Sequence, residues 1–255
     1  MTLRLLLPPS VGVARARARA ELLDQSLYAE AGEEVEVSVA GDYAELTERG
    51  REVELVWAPP TICAELEPHA HALYKCVRFG HTTYRAAILT PRGQAKTLSD
   101  LEGKRFAFVD PLSLGGHVLA AALLREAGVT LGATSFVGSY PEVLRALLAG
   151  EVDAGALMVR DASEGALRDA LAMHGGRRAH DALEALDYTR DAPNDAIVLG
   201  SVLEPRRARR LAELVLERSG RAHAAFCLAL EADGFERAKE GEYASLRPLL
   251  ALAST

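Results

Sequence analysis

The stretch from Lys104 to Ala127 constrains this chain more than any other. Phe106 to Val109 form an apolar run suited to a buried strand. Asp110-Pro111 ends that run, because proline has no amide to give to a sheet ladder. Ser113 stands where a helix N-cap would stand, and Gly115-Gly116 allow a tight turn or a close approach of the backbone to a ligand. From Val118 onward the chain is rich in Ala and Leu, both strong helix formers. A strand that feeds a helix through such a turn aims free amides and the positive end of the helix dipole at one point. That suits an anion.

The same alternation runs along the chain. Strands are expected at Leu3–Leu7, Glu34–Val39, Val53–Trp57, Thr134–Val137, Val152–Met158, Ala182–Tyr188 and Ala196–Leu199, with extended segments at Leu73–Phe79 and Tyr84–Leu89. Between and after them the helical patterns are Arg15–Ala31, a short helix from Gly41-Asp42 to Glu48, Thr61–Glu67, Tyr140–Ala149, Asp161–Met173, Glu204–Arg218, Ala222–Ala232 and Ala244–Leu252. Strands alternating with helices predict an α/β fold with largely parallel sheets. Ligands of such sheets bind beyond the carboxyl ends of strands. The strand-turn-helix junctions near Pro60, Ser113 and Ser139 share that logic, and their convergence would make one polar pocket.

Composition excludes several function classes. A chain of 255 residues is one large domain or two small ones, and a net charge of −7 argues against a nucleic-acid partner. Cys63, Cys76 and Cys227 fit no zinc spacing and read as unpaired thiols, which favours a reducing compartment. His69 and His71 flank Ala70 with no cysteine nearby, so they read as a surface loop and no metal is expected. The N-terminal apolar run is too short for a signal peptide, and no run is long enough to span a membrane. The expectation is a cytoplasmic protein as the sequence stands, periplasmic if a leader has been removed. Phosphate-binding loops, nucleophile elbows and metalloprotease motifs are absent, which counts against an enzyme, and no cofactor is expected. Arg15, Arg17 and Arg19 read as a solvated helix face because Glu21 and Asp24 follow. Asp153 reads as a structural residue that fixes a turn or caps a helix, and Trp57 as either core or a ligand wall.

In order, Tyr84-Arg-Ala-Ala-Ile-Leu-Thr-Pro-Arg-Gly, Thr97-Leu-Ser-Asp-Leu-Glu-Gly-Lys-Arg-Phe-Ala-Phe-Val-Asp-Pro-Leu-Ser, Gly138-Ser-Tyr, Ala146-Leu-Leu-Ala-Gly-Glu-Val-Asp-Ala-Gly-Ala and Pro193-Asn-Asp-Ala-Ile resemble a known family. It is that of the phosphate/phosphite/phosphonate-type solute-binding proteins of ABC transporters, with the type 2 periplasmic binding protein fold. The resemblance covers about Gly41 to Leu199. It implies two α/β lobes joined by crossing strands and closing on a ligand in a cleft, one lobe being 1–85 plus 190–255 and the other 86–189. It implies a small anionic ligand, phosphonate- or phosphate-like or another oxyanion or carboxylate, and a transporter permease or a signalling partner.

The resemblance also nominates a site. The anion cradle falls on Ser113, Gly115 and Gly116, with Leu114 where the family usually offers a hydroxyl. Ser139 and Tyr140 match a Gly-Ser-His turn with Tyr in place of His. Both Ser113 and Ser139 serve equally well as plain N-caps. Asp195 matches a carboxylate that meets the ligand's amine in aminophosphonate binders. Arg160 falls where a second carboxylate is expected; it either makes the pocket more cationic or pairs with Asp161 or Asp195. Tyr84 and Tyr43 are candidate cleft-lining aromatics, and Thr61 is a ligand contact or another cap. His117 is a neutral hydrogen-bonding group or a plain first-turn residue. Two other readings stay open: a cytosolic small-molecule enzyme of lyase type on the same fold, with Asp195 and His117 as its acid/base candidates, and a degenerate domain serving as an interaction surface.

Overall fold

The structure, a computed structural model, describes residues 2–9, 13–217 and 219–253. The chain divides into two compact units, Met1–Thr82 with Pro193–Arg247, and Thr83–Ala192 with Pro248–Thr255.

The first unit begins with β1 (Thr2–Leu7), α1 (Val13–Ala31), β2 (Glu34–Val39), α2 (Tyr43–Gly50), β3 (Leu55–Ala58), α3 (Pro60–Leu66) and β4 (Ala70–Val77). The second unit carries β5 (Thr83–Pro91), β6 (Arg105–Phe108), α4 (Leu119–Glu126), β7 (Ala133–Phe136), α5 (Tyr140–Leu148), β8 (Ala154–Val159), α6 (Glu164–Ala182) and β9 (Leu183–Tyr188). After β10 (Ala192–Pro193), the chain returns to the first unit with β11 (Ala196–Gly200), α7 (Pro205–Leu211), α8 (Arg221–Leu230) and β12 (Gly234–Arg237), before α9 (Arg247–Ala253).

The first sheet has the order β12-β4-β11-β3-β1-β2. Leu3, Leu5 and Leu7 alternate along β1 and point to one face. There they pack against Leu23 and Leu27, one helical turn apart on α1, and against Ala222 and Phe226, likewise one turn apart on α8. The second sheet runs β10-β5-β8-β6-β7, with β9 also paired to β5. One of its faces buries Ala87, Leu89, Ala107 and Leu157 against Val143, Leu144 and Leu147 of α5 and Leu171 of α6. The other buries Phe106, Phe108 and Ile88 against Ala120 and Leu124 of α4.

Both sheets are mixed, which corrects the expectation of largely parallel ones. β1 is parallel to β2 and β3, and β6 is parallel to β7 and β8. By contrast β11 is antiparallel to both β3 and β4, β12 to β4, and β5 to both β8 and β9. The antiparallel strands flank the stretches where the chain passes from one unit to the other. Local hydrophobic patterning is the same in either direction, so the sequence does not register it.

Other elements differ from expectation in ways that have local causes. β12 was not expected, since Gly234–Arg237 is short, half-exposed and polar. β4 ends at Val77, because Phe79 turns into the left-handed region at φ 52°. α6 runs nine residues past Met173, bent at Gly176, whose φ of 67° and ψ of −168° are open to glycine alone. The helix expected at Glu204–Arg218 is α7 followed by a π-helical segment, Ala212–Glu217. Arg218 and the side chains of Arg15 and Arg17 lie outside the described residues. Arg19 is not a solvated residue: its side chain is 12% exposed, pairs with Glu231 at 2.8 Å and lies 5.3 Å from the Trp57 ring centroid.

Asp153 pins the start of β6. Its carboxylate accepts the Arg105 amide and Nε at 2.9 and 3.0 Å and Nη2 at 2.8 Å. The Arg105 hydrogen bonds hold the Asp153 carboxyl down at about 2, against the opposing effect of burial. A carboxyl depressed in the folded chain adds stability that is fully present above its unfolded value, near 4, and is lost as pH falls through about 2. Asp153→Asn is therefore expected to cost about 1 kcal/mol at neutral pH, the scale of a solvent-screened bidentate pair. Thermal melts across pH 2–7 check this: the loss relative to wild type should shrink below pH 4.

Candidate functional site

In the second unit, β6 and β7 run parallel and their ends are tied together. Val137 donates to the Phe108 carbonyl at 2.9 Å, and Gly138 donates to the Val109 carbonyl at 2.8 Å. The turns that follow the two strands are therefore side by side, and each opens a helix. Asp110 builds the first turn: its carboxylate accepts from the Leu112 amide at 2.8 Å, and its carbonyl from the Ser113 amide at 3.0 Å. Ser113 caps a π-helical turn, Leu114–Val118, that continues into α4, and its hydroxyl accepts from the Gly116 amide at 3.0 Å. Its carbonyl takes the amides of His117 and Val118. The N–H groups of Leu114 and Gly115 meet no acceptor among the described residues. Both residues are buried.

Glycine is required at both cradle positions. A Cβ on Gly116 would lie 2.6 Å from Val109 Cβ and 2.7 Å from the Ser113 hydroxyl. A Cβ on Gly115 would lie 2.8 Å from Tyr84 Cε2 and 3.2 Å from the Tyr140 phenol oxygen. Two phenol side chains, from β5 and from the first turn of α5, thus close on the backbone at Gly115. Ser139 caps α5, accepting from the Glu142 amide at 3.4 Å. The fold so brings together five of the sequence-nominated residues, Ser113, Gly115, Gly116, Tyr84 and Tyr140, with Ser139 at the neighbouring turn. These residues gather hydroxyls at one point together with amides that have no partner among the described residues, a donor set that suits an oxyanion.

His117 takes a packing position. Its Nδ1 bonds the Pro111 carbonyl at 2.8 Å, and its ring lies edge-on to Phe108 and Phe136 at 4.7 and 4.9 Å. A carbonyl only accepts, so Nδ1 carries the proton. Arg160, just past β8, pairs with Asp161 at 3.1 Å and reaches Asp169 at 3.8 Å. Of the alternatives left open for it, this is the local pairing. The Ser163 hydroxyl and amide, and then Arg160, hold the Asp161 carboxyl at about 2.

Tyr43, Thr61 and Asp195 belong to the first unit. Tyr43 opens α2, where the Asp42 cap accepts from the Glu45 amide and Glu45 returns the bond to the Gly41 amide. Thr61, one residue inside α3, is 3% exposed, and its hydroxyl has no partner among the described residues. The Pro60 junction therefore lies in a different unit from the Ser113 and Ser139 junctions.

Asp195 is heavily engaged. Its carboxylate accepts from the Trp57 indole N–H and from both terminal nitrogens of Arg78, one of these bonds at 3.0 Å. Arg78 in turn donates to the Leu230 and Glu231 carbonyls at 2.9 and 3.0 Å, satisfying the carboxyl end of α8. Burial acts to lower the Arg78 pKa, but Asp195 more than offsets it and holds the guanidinium above its ordinary value. The Asn194 side chain bonds the Cys76 and His81 carbonyls, and the buried Tyr243 phenol bonds the Asn194 carbonyl. Cys63 and Cys76 are pushed well up, first by burial and then by Asp195. Trp57 is a member of this network and packs, partly buried, against the core. Arg78 is the residue the sequence did not nominate. It sits 117 positions from Asp195, at the end of a strand with no motif of its own.

A family model described as "ABC transporter, phosphonate, periplasmic substrate-binding protein" matches residues 6–243. Among curated proteins none matches the sequence. Solved structures with a similar fold include a chloride-bound protein of Xanthomonas citri, at 18% identity and a TM-score of 0.80 over 99% of this chain and 97% of that one. PhnD1 from Prochlorococcus marinus in complex with methylphosphonate aligns at 17% identity and 0.73, over 99% and 98%. A binding-protein component of an ABC phosphonate transporter from Pseudomonas aeruginosa aligns at 15% and 0.71, over 99% and 86%. These likenesses place the fold among two-lobed type 2 periplasmic binding proteins. The family match spans nearly the whole chain, and with it this protein belongs to the periplasmic substrate-binding proteins of phosphonate-type ABC transporters.

Proposed function

We propose that this solute-binding protein captures a small oxyanion that carries no amine, of the phosphonate, phosphate or carboxylate type, and hands it to a transporter permease on the periplasmic side. One observation carries the reading: the amides of Leu114 and Gly115 at a helix start, which meet no acceptor among the described residues, with the Tyr84 ring edge and the Tyr140 phenol oxygen closing on the same point. Amides and phenols donate hydrogen bonds to oxygen, and at neutral pH none of them repels an anion. Leu114 leaves the turn with one hydroxyl, so backbone donors carry most of the recognition. In the first unit, the Asp195 carboxylate is neutralised by Arg78 and also accepts the Trp57 indole N–H, which takes up the acceptor a ligand amine would need. Tyr43 and Thr61 remain candidate contacts from that unit.

The test is a thermal-shift panel of phosphate, phosphite, methylphosphonate, 2-aminoethylphosphonate, methanesulfonate and dicarboxylates, followed by calorimetry. A ligand at a hundred times its Kd stabilises by about 2.7 kcal/mol. The matching rise in Tm is roughly 5–10 °C for a chain of this size. Methylphosphonate or phosphate should outperform 2-aminoethylphosphonate. A flat response over the whole panel would sink the reading, and a clear preference for the amine would overturn the role given to Arg78. Ser113→Ala should cost about 1 kcal/mol of stability through the lost cap, seen as a lower urea midpoint.

A further inference from the structure

We infer that His174 is a positioning residue for Tyr140, holding the phenol in place over Gly115. For its effect on ligand affinity this rests on the oxyanion reading above; for its effect on Tyr140 it stands alone. The Tyr140 phenol oxygen lies 3.2 Å from where a Gly115 Cβ would be, so the side chain reaches across to the cradle. The ring also meets the His174 imidazole, with centroids 5.4 Å apart and planes at 43°. A tyrosine in the first turn of a helix has two soft torsions, and a ring contact of this kind removes one source of that freedom.

The placement of His174 is built by the two residues that follow it. Gly175 has no Cβ, and one would lie 2.8 Å from Leu144 Cδ1 and 2.6 Å from Ala179 Cβ; its absence lets α6 close on α5. Gly176 then bends α6 through its left-handed φ, so the helix turns away directly after His174 has been delivered to Tyr140. His174 also edges a surface cavity of about 460 Å³ together with Pro141, Leu148, Arg145 of α5 and Arg178 of α6. Arg145 is paired with Glu142 and Glu151. Burial lowers the His174 pKa, and a neutral imidazole packs on the phenol ring at neutral pH. Among the described residues, Tyr140 touches it, and Arg145, paired with its two glutamates, and Arg178 are the charged groups lining the same cavity.

The experiment uses the whole chain with 3-fluorotyrosine at all seven tyrosines. The Tyr140 resonance is assigned by its loss in Tyr140→Phe. In the ligand-free protein that resonance should shift as pH falls from 7 to 5, a range below the ionisation of the fluorinated phenol itself, and stay fixed in His174→Phe, which keeps a ring but cannot titrate. His174→Ala should move it toward the position of a mobile tyrosine. Methylphosphonate affinity at pH 7.5 should fall about tenfold in His174→Ala and return to within twofold of wild type in His174→Phe. A Tyr140 resonance unchanged in His174→Ala, or one that still titrates in His174→Phe, overturns the inference. Should the wild type bind no methylphosphonate while the fluorine pattern holds, the oxyanion reading fails and the positioning role stands. The reverse pattern separates the two the other way.

Discussion

Arg78→Met is expected to unfold the protein roughly 6–12 °C below wild type, the shift that follows for a chain of this size from about 3 kcal/mol of lost stability. The side chains of Arg78 and Asp195 are 26% and 21% exposed, so removing the guanidinium leaves a mostly desolvated carboxylate with only the Trp57 N–H to balance it. It also strips the Leu230 and Glu231 carbonyls of their donor at the end of α8. Arg78→Met with Asp195→Asn removes both charges together and should recover part of the loss, since an unpaired charge costs more than an absent pair. Trp57 is the single tryptophan, so its emission reports on this network directly. The single variant should alter Trp57 emission before any global unfolding. A melting point within a degree of wild type would show that the network is not holding the first unit together.

Gly115→Ala is expected to weaken the tightest ligand of the anion panel about thirtyfold, equal to roughly 2 kcal/mol. The added methyl would sit 2.8 Å from Tyr84 Cε2, inside contact distance, and Tyr84 is 8% exposed with little room to retreat. Either the phenol or the turn must move, and overpacking of this kind costs about 1–3 kcal/mol of stability as well. Gly165→Ala is the matched control. Its nearest neighbour to a new Cβ is the Ser163 hydroxyl at 3.9 Å, in the first turn of α6, so the change should be neutral or stabilising by up to about 1 kcal/mol. Calorimetry and urea melts on both variants check the pair. Equal affinities in Gly115→Ala and wild type would move the ligand away from this turn.

Much of the local structure was legible in the sequence because it has local causes. The strand at Phe106, the cap at Ser113 and the glycine pair each follow from a neighbour or two in the chain, and the structure has them as read. Asp153 reads as structural in the sequence, but its partner Arg105 lies 48 positions back, at the start of the strand it pins, so that pairing has no local signature. Strand direction was not legible, because the hydrophobic run of β11 reads alike whether it lies parallel or antiparallel to β3. β12 escaped notice for a related reason. Its four residues gain their order by pairing with β4 across more than 150 positions, and not from any pattern of their own.

The candidate site divides in the same way. The sequence by itself nominates Ser113, Gly115, Gly116, Ser139 and Tyr140, because they lie at helix starts, where backbone amides have no intrahelical partner. It also determined, through its motifs, the family. Only the tertiary structure decided which partners the charged and aromatic side chains find. Asp195 and Arg160 carry charge in the sequence, but Arg78, Trp57, Asp161 and Asp169 claim them in the fold. His117 is drawn onto Phe108 and Phe136, and Tyr84 and Tyr140 are brought over Gly115 from strands and helices far apart in the chain. Those outcomes depend on which buried charges find partners and which rings find room, and pairing and packing are fixed by contacts between distant positions.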